Sequence, residues 1–91
     1  MKITMVKKIM PDGSDCPKCL DVLGLLENRG HMDKISAVLE ASPKDPAGEG
    51  MQLVKRLKMK RAPFFLVEKD DGSEIVFDSV LRMLKEVFPD N

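Results

Sequence analysis

The sequence predicts an α/β fold, a four-stranded mixed sheet with helices on both faces in the order β-α-β-α-β-β-α. Three observations carry this. Short runs rich in branched and aromatic residues alternate with amphipathic runs of helical period. The first two strand-like runs are separated by a helical one, so they should be parallel and joined by a right-handed crossover. The last two are separated only by an Asp-Gly turn, which makes them antiparallel.

The first run, "KITMVKKI" (2 to 9), is short, rich in branched residues and followed by "PDGSD", a strand ending in a turn. From Pro17 to about Asn28, apolar residues recur at helical spacing, with Cys19, Leu23 and Leu26 on one face and Leu20 and Val22 beside it. Pro17 suits a first helical turn, where its missing N–H is no loss. Gly30 suits the end. "KISAVLEA" (34 to 41) reads as a second strand, and "SPKDPAGEG" (42 to 50) as a loop. Met51, Leu53, Val54 and Leu57 form a second amphipathic helix ending in the basic segment "KRLKMKR" (55 to 61), where cations complement the helix dipole. "PFFLVEK" (63 to 69) and "SEIVF" (73 to 77) are strands flanking "DDG" (70 to 72). Asp78 or Ser79 caps a last helix whose inward stripe is Val80, Leu81, Leu84, Val87 and Phe88.

The chain has 91 residues, enough for a single domain, 1–91. Apolar residues at 43% and charged residues at 33% describe a globular chain rather than a disordered one. Fifteen basic and fifteen acidic residues cancel, which argues against a general nucleic-acid binder. No apolar run approaches the roughly 20 residues needed to span a bilayer. Lys7 and Lys8 interrupt the N-terminal apolar stretch, so no secretion signal is read and the expected location is the cytoplasm.

Only two cysteines occur, in Cys16-Pro17-Lys18-Cys19. In a reducing compartment such a pair is more often catalytic or metal-binding than a permanent staple. Zinc needs about four ligands, and the chain offers one histidine, His31, beyond the far end of the first helix and read as a surface residue in a turn. Two packed thiols and an iron–sulfur cluster shared between two chains are the other readings.

A CxxC between the first strand and the first helix, with Ala62-Pro63 just before the third strand, resembles the thioredoxin-like superfamily. The short β-α-β-α-β-β-α plan and the proline directly after the first cysteine resemble the glutaredoxins within it. The resemblance implies a cis Pro63 facing the cysteines and positioning substrate. It implies thiol–disulfide oxidoreductase activity with no bound cofactor, glutathione as a candidate reductant, and a monomer. The chain departs from the glutaredoxin pattern at Lys18, usually aromatic, and at Ala62, usually Thr or Val. "IVFDS" stands where a Gly-Gly pair and an Asp help hold glutathione. A dedicated reductase and a disulfide-containing protein partner therefore stand beside glutathione. Cluster binding and a non-catalytic interaction domain are the alternative functions.

The residues suit thiol chemistry on their own terms. Cys16, at a helix N-terminus with Lys18 nearby, should carry a lowered pKa and act as nucleophile. Cys19, one turn deeper beside Leu23 and Leu26, should be buried and act as the resolving thiol. Ala62, small and directly before Pro63, leaves room for an extended substrate to pair with its backbone. Pro17, Lys18, Ala62, Lys60 and Arg61 are the candidate substrate contacts. The later members of the cluster Lys55, Arg56, Lys58, Lys60 and Arg61 are expected on the groove's rim, with Lys7 and Lys8 as further neighbours, there to attract an acidic partner or an anionic thiol.

Overall fold

A computed structural model describes residues 1–88. The elements are β1 (Lys2–Lys8), α1 (Pro17–Asn28), a 3₁₀ turn (Met32–Lys34), β2 (Ala37–Ala41), α2 (Glu49–Leu57), β3 (Phe64–Glu68), β4 (Glu74–Phe77) and α3 (Val80–Val87). They form one four-stranded sheet in the order β2-β1-β3-β4. β1 runs parallel to β2 and antiparallel to β3, and β3 pairs antiparallel with β4. The mixed sheet and the element order are those expected from the sequence. No helix among the described residues is long and apolar enough to cross a membrane.

The two inner strands carry the core. Ile3, Met5, Phe65 and Val67 pack with Val22 and Leu26 of α1 and with Met83 and Leu84 of α3. Val6 and Phe64 pack instead with Ala41, and Met51, Leu53, Val54 and Leu57 of α2 lie against them. α2 approaches β2 most closely at Gly50, which is buried and has Glu40 and Ala41 backbone where a side chain would stand.

Helices α1 and α2 end through the same device. After α1, Gly30 sits at φ +72°, its N–H donates to the Glu27 carbonyl (3.1 Å) and the His31 N–H donates to the Leu26 carbonyl (2.8 Å). This is the paired six-to-one and five-to-two arrangement that satisfies the last carbonyls of a helix. After α2, Lys58 takes the left-handed position at φ 54°, and Met59 N–H donates to the Val54 carbonyl (3.1 Å). α3 starts at Ser79, whose Oγ accepts the Arg82 N–H at 3.3 Å.

Four expectations are corrected. The second strand begins at Ala37, because a 3₁₀ turn takes up Met32–Lys34. The basic segment is only half helical: Lys58 turns the chain, so Met59, Lys60 and Arg61 belong to the loop before β3. In α3 the fully buried residue is Met83, while Leu81 is 56% exposed; on α1, Leu20 is 49% exposed. His31 is buried, not on the surface. Its ring stacks on Phe88 with centroids 5.2 Å apart, and Lys34 Nζ lies 4.8 Å from the Phe88 ring centroid.

Candidate active site

β1 delivers the cysteines through a tight loop. Met10 N–H donates to the Ser14 carbonyl and Gly13 N–H to the Met10 carbonyl, each at 2.8 Å. Gly13 supplies the positive φ of +89° that this turn requires. Asp12 Oδ1 accepts from the Ser14 hydroxyl (2.6 Å) and backbone N–H (3.0 Å). Asp15 then bridges back to Ile9, and its carboxylate lies 3.3 Å from Lys7 Nζ, which is also 3.5 Å from Glu40. The Asp15 carboxylate is thus engaged by this cation.

Cys16 is the N-cap of α1 in extended conformation, and Pro17 is the first helical residue. Cys16 and Cys19 are free thiols 3.6 Å apart. Cys16 is half-buried and Cys19 has no exposed surface. The Lys8 backbone touches both. Its carbonyl accepts the Cys16 N–H at 3.4 Å, and its N–H donates to Cys19 Sγ at 3.4 Å.

The two thiols are driven apart in acidity. The Cys19 backbone N–H is the main reason that the Cys16 pKa is lowered; burial opposes it, and the Cys19 thiol, the Lys18 backbone N–H and the Lys8 ammonium assist. Burial is the main reason that the Cys19 pKa is raised. The Lys8 N–H works against that rise, and the adjacent Cys16 sulfur adds to it. The exposed N–H groups of a helix start thus stabilise one thiolate while the apolar interior disfavours the other.

Ala62 and Pro63 lie at the same end of the sheet. The β1–β3 ladder ends at Val6↔Phe64, so Pro63 and Ala62 continue alongside the Lys7–Lys8 end of β1, from which the cysteine loop departs. The Ala62–Pro63 peptide bond is cis; Pro63 is buried and Ala62 half-buried. Ala62, Lys60 and Arg61 line a cavity of about 320 Å³ with Lys8, Val54 and Met59.

The predicted residues thus fall into two groups. Cys16, Cys19 and Pro17 form the thiol site, and Lys60, Arg61 and Ala62 line the adjoining cavity. Lys18 is exposed on the first turn of α1; it aids Cys16 through its backbone N–H, and the ammonium that acts on Cys16 belongs to Lys8. Sequence reasoning placed Lys8 only among the neighbouring cations and missed its backbone bridge. Its place at the end of the strand feeding the CxxC was the available signal. No protein-family model, curated protein or solved structure matches the chain.

Proposed function

We propose that this chain is a monomeric thiol–disulfide oxidoreductase on a thioredoxin-like, glutaredoxin-like fold, working in a reducing compartment such as the cytoplasm. One observation carries the reading: an accessible thiol of lowered pKa at a helix N-terminus, within 3.6 Å of a fully buried thiol of raised pKa. The fold reading is supported by the sheet order and by the two clusters. Neighbours along a strand point to opposite sides, so Met5 and Val6, or Phe64 and Phe65, divide the sheet into a side covered by α1 and α3 and a side covered by α2.

The chemistry follows from the asymmetry. The Cys16 thiolate attacks one sulfur of a substrate disulfide. A Cys16–substrate disulfide forms, and the departing thiolate takes up a proton. Cys19 then gives up its proton and attacks the Cys16 sulfur. The second substrate thiolate leaves, and the protein ends as the Cys16–Cys19 disulfide. The substrate has gained two electrons and two protons. A second thiol, glutathione or a dithiol reductase, returns both electrons and restores the pair. The Ala62 backbone before Pro63 offers an extended substrate a pairing edge beside Cys16, with Pro17, Lys18, Lys60 and Arg61 around it.

Reduction of a model disulfide by the reduced protein tests this. Cys16→Ser should abolish turnover, and Cys19→Ser should accumulate the mixed disulfide. Full dithiol activity in both variants would overturn the assignment.

A further inference from the structure

The cavity beside the thiols has a composition of its own. Its walls are Val6, Ala41, Val54, Met59 and Phe64, with Met51 at the start of α2. Lys8, Lys60 and Arg61 also line it, and all three are exposed. Among the described residues none of these three cations makes an ion pair, whereas Lys7, Arg56 and Arg82 all do. Among the described residues no Asp or Glu lines the cavity. An apolar hollow with three unpaired positive charges and no negative one complements a ligand that is apolar at one end and anionic at the other. At about 320 Å³ it lies at the small end of small-molecule sites.

We propose that this cavity binds a small apolar anion of the medium-chain carboxylate kind, its carboxylate among Lys8, Lys60 and Arg61 and its chain against Val54, Met59 and Phe64. The site is separate from the thiol pair but shares Lys8 with it. The Lys8 backbone holds both cysteines, and its ammonium adds to the field that favours the Cys16 thiolate. A carboxylate paired with Lys8 offsets that one contribution, the smallest of those that lower the Cys16 pKa. Occupancy therefore slows Cys16 by reducing its thiolate fraction, so that ligand and thiol reactivity are linked.

The experiment is a titration of the reduced protein with octanoate, read on methyl NMR signals of Met51, Val54 and Met59. Acetate and 1-octanol serve as the chain-free and charge-free controls. Octanoate should bind about tenfold or more tightly than either control, the factor expected when both ends of the ligand are used. The Lys60→Glu, Arg61→Glu double variant alters exposed side chains; it should weaken octanoate about tenfold and leave 1-octanol unchanged. Equal binding of 1-octanol and octanoate, or shifts centred on exposed Leu20, Val76 and Leu81 instead of the cavity, would overturn the site. Saturating octanoate should also move the pH midpoint of Cys16 alkylation upward; binding with an unmoved midpoint overturns the link through Lys8. The binding arm uses no disulfide substrate and is repeated in Cys16→Ser. Failure of the oxidoreductase assay and failure of this site are thus separate results.

Discussion

Gly50→Ala tests how α2 is seated. Gly50 is buried in the first turn of α2, against the end of β2. A Cβ there would stand 2.5 Å from the Glu40 carbonyl carbon and 2.9 Å from the Ala41 nitrogen, and closer still to the Glu40 oxygen. These are backbone atoms of a strand whose Glu40 and Ala41 pair with Lys7 and Lys8 of β1, so they cannot swing aside as a side chain would. Inserting a methyl group into a packed site costs about 1–3 kcal/mol, and rigid neighbours put this one near the upper figure, ~3 kcal/mol. Alanine's higher helix propensity offsets at most about 1 kcal/mol. The net loss is about 2 kcal/mol, which for a domain of this size lowers Tm by roughly 8–16 °C. Gly24→Ala is the internal control: it lies inside α1 with open space around an added Cβ, so the same substitution should stabilise by about 0.5–1 kcal/mol. Urea and thermal unfolding followed by circular dichroism would compare the two. A Gly50→Ala protein as stable as the parent would refute the close approach of α2 to β2.

Alkylation mapped by mass spectrometry across pH should give Cys16 a midpoint below the ordinary thiol value of about 8.5 and leave Cys19 unreacted until higher pH; a Cys16 midpoint at or above that value contradicts the site. The linkage has opposite signs at the two thiols. Between the lowered folded pKa of Cys16 and its unfolded value, the unfolded chain holds the extra proton, so Cys16 makes stability rise with pH; that contribution is lost as pH falls through the folded pKa. Cys19, raised on folding, makes stability fall as pH climbs through its unfolded value, a trend that Cys19→Ser should remove in pH-dependent denaturation. Met83→Ala should cost about 2–5 kcal/mol and Leu81→Ala less than about 0.5 kcal/mol in the same denaturant assay; similar losses would return Leu81 to the inward stripe. Lys58→Gly should stabilise by about 0.5–1 kcal/mol, because a lysine at φ 54° carries a left-handed penalty that glycine lacks; a lower Tm would refute this.

What was legible in the sequence was local. The strand runs, the Asp-Gly hairpin and the helix over Pro17–Asn28 follow from periodicity and turn residues within a few positions of each other. The cysteine pair was legible for the same reason, since three residues of helix fix one thiol at the cap and the other beneath it. The inward stripe of α3 was legible at Val80, Leu84, Val87 and Phe88 but not in its middle. Leu81 and Met83 are both apolar, and only the position of Phe65, Val67 and Phe77 on the sheet selects Met83 over Leu81. His31 was misread because a histidine after a glycine looks like turn composition. Its place three residues past the end of α1 is one where a side chain commonly folds back onto the helix, and Phe88, far off in sequence, completes its burial.

The cation at Cys16 shows where local reading runs out. Lys18 is two residues from Cys16, but it is exposed on the outer side of the first turn, where water screens its charge. Lys8 is eight residues away in sequence, yet the Lys8 carbonyl accepts the Cys16 N–H. Separation along the chain is therefore a poor guide to which charge a thiol feels; the ladder that ends β1 decides it. The same ladder gathers the cavity. Lys8↔Ala41 and Val6↔Phe64 bring the ends of three strands together, and the left-handed turn at Lys58 carries Met59, Lys60 and Arg61 across to meet them. Register thus joins the residues that set Cys16 acidity to those that line the cavity, and Lys8 is the residue common to both.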